Sequence, residues 1–193
     1  MFDGDRMEQL LKVLHAFFTY LIKHKLKWQE NMQKAVSPIN ALCNQAEQFR
    51  LVKKFEDSEE DFQLRNKIIS KIKSGLEEEM VMLLEILQDC EASNKALKNK
   101  LVVVEQSCDV VDTADMLQGT ATQPAPGLML EWAHDAWSLY HAFYLQIFGA
   151  LKCMNYEDED TIVQFQKAFK ESPEMSNHIQ RMIAYTSFFV EGS

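Results

Sequence analysis

The chain has 193 residues, 29 acidic and 20 basic, a net charge of −9, 47% hydrophobic residues and only 6 glycines and 4 prolines. That length fits one domain, or one domain with an extended element, and is enough to bury a core. The acidic balance argues against a nucleic-acid binder held by phosphate contacts, which needs a basic face. Near-half apolar content argues against global disorder, and few Gly and Pro among many Leu, Lys, Glu, Gln and Met point to helices.

Between about Asp5 and Lys53 an apolar stripe recurs at alternating spacings of four and three: Met7, Leu11, Leu14, Phe18, Leu21, Trp28, Met32, Ala35, Ile39, Leu42, Ala46 and Phe49, interrupted only by Lys25. This is a heptad seam. Asp5 with Glu8 reads as a capping-box start, and Pro38 predicts a kink or short break with the helix resuming on the same line. Residues 54–61 carry no apolar period and read as a connector, with Ser58 capping the next helix and Glu59, Glu60 and Asp61 in its first turn. The second seam runs through Ile69, Ile72, Leu76, Met80, Leu83, Leu87, Cys90, Asn94, Leu97, Leu101, Val104, Cys108 and Val111. Each helix would extend roughly 70–75 Å if straight, and the short connector makes them antiparallel neighbours. Asn94 is the polar member of the second seam. It either fixes register as a buried amide or lies at an exposed end of the hairpin contact.

Residues 113–126, with Gly119, Pro124 and Pro126, read as a mobile linker. An apolar helix from Leu128 to Met154 follows, striped by Leu128, Trp132, Ala136, Leu139, Phe143, Ile147 and Leu151 and widened by Met129, Trp137, Tyr140, Tyr144 and Phe148. So apolar a helix must be covered on more than one side. After the acidic turn at Tyr156–Asp160 come a short helix with Ile162, Phe165 and Phe169, and a last one starting at Ser172-Pro173-Glu174 that presents Met175, Ile179, Met182, Ile183, Thr186 and Phe189. The expected class is all-α: a long antiparallel coiled-coil-like hairpin over 1–112, a linker over 113–126, and a shorter C-terminal helical region over 127–193 packing on the hairpin.

Nothing in the pattern supplies chemistry. The six glycines are isolated from one another, so no phosphate-binding loop exists. The four cysteines, Cys43, Cys90, Cys108 and Cys153, form no CxxC pair and read as small buried thiols of a reduced intracellular protein. The start is not a secretory signal, and no apolar stretch reaches a membrane-spanning length. His134 and His141 stand seven apart, missing the i, i+3 or i+4 spacing of helical metal sites; His15, His24 and His178 are isolated. Glu77, Glu78 and Glu79 fan around a helix and read as a solvated face. No catalytic, cofactor-binding or metal-binding residues are therefore expected, and the chain reads as not an enzyme. The expected partner interface is Leu10, Phe17 and Ile22, which flank the first seam, with Trp28 entering from the same side and Trp132 and Trp137 from the aromatic helix. A helical partner would complete a four-helix arrangement along the hairpin.

Several islands resemble one family. They begin with Leu10–Phe18 and run through Trp28-Gln29, Ala46-Glu47-Gln48 and Phe55-Glu56-Asp57. Beyond the proline-containing linker come Met129-Leu130-Glu131-Trp132, with Asp135 and Tyr140 after it, and at the carboxyl end Ser187-Phe188-Phe189-Val190-Glu191. In this order and spacing the chain resembles the AAA-ATPase-interacting ribosome maturation factor (AIRIM) family of animal cells. The second long helix and the stretch from Cys153 to His178 carry little of the resemblance. It implies a non-enzymatic adaptor without cofactor that works with two type II AAA ATPases and a cyclin-dependent-kinase-interacting helical protein. It also implies release of a shuttling factor from the cytoplasmic pre-60S particle, a role in replisome protein turnover on chromatin, and residence in cytoplasm and nucleus. The particle would be contacted indirectly, with no direct nucleic-acid binding and no membrane contact. The heptad seams alone fit equally a coiled-coil scaffold or tether unrelated to ribosomes.

Overall fold

The computed structural model describes residues 2–54 and 59–191, of which 88% are helical, with no strand among them. Six helices follow in order: α1 (Phe2–Lys54), α2 (Glu59–Cys108), α3 (Thr113–Met116), α4 (Pro126–Cys153), α5 (Glu159–Ala168) and α6 (Pro173–Glu191). Helices α1 and α2 pack against each other as a helical hairpin. Helix α1 starts at Phe2, ahead of the Asp5–Glu8 box, and runs through Pro38 as one element. Apolar burial on both sides of the proline offsets the single hydrogen bond its ring removes. The Ser58 cap and the connector at Phe55–Ser58 lie outside the described residues. The expected linker opens with the one-turn helix α3, which Asp112, the residue before it, caps by accepting from the Ala114 amide.

The chain gathers into two units that divide it differently from 1–112, 113–126 and 127–193, because each draws on both the hairpin and the C-terminal helices. The first comprises Met1–Trp28, Glu91–Phe143 and Glu171–Ser193. Four helices meet in it. Arg6 of α1 donates to the carbonyl of Val110, two residues past the end of α2, and Trp28 packs on Phe143 of α4, with ring centroids 5.3 Å apart. Lys25 donates to Gln180 of α6 at 2.7 Å. The chain thus supplies from itself the four-helix arrangement expected to need a partner. Leu14, Phe18 and Leu21 of α1, Leu97, Leu101 and Val104 of α2, Met129, Ala133 and Ala136 of α4 and Ile179 and Met182 of α6 are buried there. A fully buried Leu of this kind contributes about 1.5–3 kcal/mol.

The second unit comprises Gln29–Cys90 and Tyr144–Lys170. Ala35, Leu42, Ala46 and Phe49 of α1 and Leu76, Leu83 and Leu87 of α2 form its core with Ile147 and Leu151 of α4 and Ile162 and Phe165 of α5. A Cβ at Gly75 would meet the Gln45 amide nitrogen at 2.7 Å, so a larger residue there requires the end of the Gln45 side chain to move. Asp158 caps α5 by accepting from the Asp160 amide, so the acidic turn is a helix start.

Two stripes differ from the periodic reading. On α1 the buried line passes through His24 and Asn31, and the expected positions Lys25 and Met32 are only half-buried. On α4 the buried line is Met129, Ala133, Ala136, Tyr140, Phe143, Ile147 and Leu151, which turns Leu128 outward and leaves Trp132, Trp137 and Leu139 half-buried.

Candidate interaction surface

The surface of the first unit is positioned by a buried polar seam. The Trp28 indole N–H donates to Asn94 Oδ1 at 3.2 Å, and Asn94 Nδ2 donates to the Tyr140 carbonyl at 3.2 Å. The one amide therefore ties α1, α2 and α4 together, and its burial removes the alternative of an exposed hairpin end. One turn earlier on α1, His24 Nδ1 shares a 2.8 Å hydrogen bond with Ser93 Oγ while Nε2 has no partner. The Tyr140 ring stands edge-on to His24 at 4.5 Å. Burial, with Lys27 adding to it, pushes the His24 pKa from 6.5 down to about 4, so the imidazole is neutral. Burial first, and Glu171 second, pushes the Tyr140 phenol up.

Three members of the expected interface, Leu10, Phe17 and Trp28, are fully or almost fully buried inside this unit. Phe17 stands edge-on to Phe18 at 5.4 Å. They are core because α4 and α6 come from the same chain and cover the side of α1 expected to face a partner. Ile22 is half-buried. Trp132 and Trp137 flank the buried line of α4 on opposite sides, about 140° apart at 100° per residue. Trp137 stacks on His141 at 5.1 Å, with the Lys98 ammonium 4.2 Å from its centroid. That flank is covered by a charged cluster, Lys98 and His134 lying 3.8 and 3.4 Å from Glu105.

The Trp132 flank is apolar and open. Trp132 stacks on Tyr185 of α6, centroids 5.7 Å apart and planes at 16°. Leu128, one turn before Trp132, is 40% exposed; Tyr185 is 63% and Phe188 72% exposed. Tyr185 and Phe188 lie three apart on one face of α6, while Phe189 turns inward to stand edge-on to His15 at 5.8 Å. Phe188 also borders a 360 Å³ groove with Leu11, Lys12 and His15 of α1 and Thr122 and Gln123 of the linker. His178 and Asp135, 3.1 Å apart, join α4 to α6 beside this ridge. The Ser172 hydroxyl, accepting from the Met175 amide at 3.1 Å, starts α6 in the expected place. Sequence reasoning missed Tyr185 and Phe188 as surface residues. Their signal was present: both are aromatic yet off the Met175–Ile179–Met182–Thr186–Phe189 stripe.

The remaining chemistry is sparse. Among the described residues no group of three or more His, Cys, Asp or Glu could hold a metal ion, and no helix is long and apolar enough to cross a membrane. None of the four cysteines is joined in a disulfide. Cys90 is buried as expected and Cys153 is exposed, against expectation, because α4 ends there with that side outward. Burial raises the Cys43 thiol, and burial with Asp109 and Glu105 pushes Cys108 up to about 11, which keeps both protonated and poorly nucleophilic.

No curated protein matches the chain. The family model described as "CA109-like: Ribosome biogenesis protein C1orf109-like" matches residues 8–188, a span containing α2 to α5 and the Trp132–Tyr185–Phe188 ridge. The chain belongs to this family of ribosome biogenesis proteins, which is the AIRIM family.

Proposed function

We propose that the chain is a non-enzymatic adaptor subunit of an AAA-ATPase assembly that promotes cytoplasmic maturation of the pre-60S particle by release of a shuttling factor. A second role in replisome protein turnover belongs to the same reading, with residence in cytoplasm and nucleus. The partners are type II AAA ATPases and a cyclin-dependent-kinase-interacting helical protein. The energy comes from those ATPases, since this sequence has no phosphate loop. The observation that carries the reading is the exposed aromatic ridge. Trp132 belongs to the segment of most specific family resemblance, Met129–Trp132, and Phe188 to the carboxyl-end segment where the resemblance returns, while the ring of Trp132 meets α6 at Tyr185. Exposed aromatics around a partly buried tryptophan are the usual anchors of protein interfaces.

A plain coiled-coil tether has no use for α4 to α6, whereas here those helices carry both the ridge and much of the core. The test is co-purification from animal cells with the wild-type chain and with Tyr185→Ala/Phe188→Glu. The wild type is expected to recover AAA ATPases and large-subunit precursor proteins, and the variant to lose them at least ten-fold with unchanged helicity. Recovery of neither class by the wild type overturns the assignment. Equal recovery by the variant removes the ridge from it.

A further inference from the structure

The second unit holds a trough between α1 and α2 that the reading above does not use. It encloses 610 Å³ and is lined by Asn31, Lys34, Ser37 and Pro38 of α1 and by Glu79, Met82, Glu85, Ile86, Gln88 and Asp89 of α2. Its apolar floor is Met82, 42% exposed, and Ile86, half-buried one turn on, against the Pro38 ring. Its walls are acceptors. Three carboxylates, Glu79, Glu85 and Asp89, face one cation, Lys34, whose ammonium already pairs with Glu30 at 2.7 Å. Pro38 sits within α1 at this wall and brings no N–H to it. The amide nitrogen of Asn31 is directed away, donating to Cys90 Sγ at 3.4 Å.

An apolar strip with uncompensated carboxylates on its banks is complementary to one kind of occupant. We infer that this trough docks a basic amphipathic helix of a protein partner, its apolar residues on Met82 and Ile86 and its Lys or Arg residues on Glu79, Glu85 and Asp89. This is helix-in-groove recognition with charges setting orientation and association rate. A nucleic acid is excluded as occupant by the sign of the charge.

The probes are two synthetic 21-residue amphipathic helices with identical Leu stripes, one with Lys and one with Glu on the flanks. Binding to the full chain is read by fluorescence anisotropy, and the contact is located by a benzophenone side chain at position 82. The Lys peptide is expected to bind and to cross-link at position 82, and the Glu peptide not to bind. Neutralising the trough with Glu79→Gln/Glu85→Gln/Asp89→Asn should weaken the Lys peptide at least ten-fold. The same charge change placed elsewhere, Glu47→Gln/Glu91→Gln/Glu131→Gln, should weaken it less than three-fold. Equal weakening by both triple variants, or no cross-link, means attraction to an acidic protein at large and overturns the proposal. So does a dimer by light scattering that the trough variant dissolves, since a second copy would then be the occupant. Tyr185→Ala/Phe188→Glu should bind the Lys peptide like wild type, which separates this site from the aromatic ridge.

Discussion

Replacing Asn94 with alanine should be among the most damaging single changes available in α2. The amide accepts from the Trp28 indole and donates to the Tyr140 carbonyl, both at 3.2 Å in a buried position. Alanine leaves both groups without a partner and out of reach of solvent. Each of the two orphaned groups costs about 1–3 kcal/mol, so the variant should lose about 2–6 kcal/mol. With a urea slope of about 3 kcal/mol/M, the unfolding midpoint should fall by about 0.7–2 M. Lys95→Ala, an exposed neighbour on the same turn, should stay within about 0.5 kcal/mol of wild type. Pairing Asn94→Ala with Trp28→Phe in a double-mutant cycle should give a coupling of about 1–2 kcal/mol. A loss below about 1 kcal/mol, or no coupling, would show that the amide does not bridge the three helices.

Phe17→Glu places a carboxylate at a position with 0% exposure. It should cost over about 4 kcal/mol and abolish cooperative melting of the first unit by circular dichroism; a variant that melts like wild type would return Phe17 to the surface. His24 sets a pH dependence. Its folded pKa of about 4 lies below the 6.5 of the free side chain, so the unfolded chain takes up the proton first. The stability held by the neutral imidazole is complete above about pH 6.5 and is lost as pH falls toward 4, amounting to roughly 3 kcal/mol. Urea midpoints across that window should therefore slope less in His24→Phe than in wild type; parallel slopes would assign the acid sensitivity to other groups.

The helices and the second seam were legible because Leu76, Leu83, Leu87, Leu97 and Leu101 repeat with little competing signal, and all are buried. The first seam was legible only in part. Its line passes through His24 and Asn31, which a hydropathy pattern scores as solvent-facing. They are tolerated inside because Ser93 and Cys90, contributed by α2, partner them. That information is tertiary, and one helix read alone does not contain it. The same holds for the interface. Leu10, Phe17 and Ile22 formed a second apolar line on α1, and periodicity does not say whether such a line meets another chain or the chain's own α4 and α6. The Trp132 side of the ridge was legible as an aromatic excess. Its other half, Tyr185 and Phe188, emerged only when α6 was laid antiparallel beside α4, with His178 against Asp135 and Tyr185 against Trp132.

The three tryptophans, Trp28, Trp132 and Trp137, all belong to the first unit. Indole emission is therefore an optical reporter of that unit alone, while the far-ultraviolet helix signal sums over both. Trp28, with its N–H held by a buried amide, should emit at short wavelength and be hard to quench. Trp132 and Trp137, each half-exposed, supply the red-shifted, quencher-accessible part. Closing a partner over the Trp132–Tyr185 stack should shift emission to the blue and shield about half of the accessible signal. A ligand seated in the trough of the second unit should leave the spectrum where it was. A single label-free titration can therefore tell occupancy of one face from occupancy of the other.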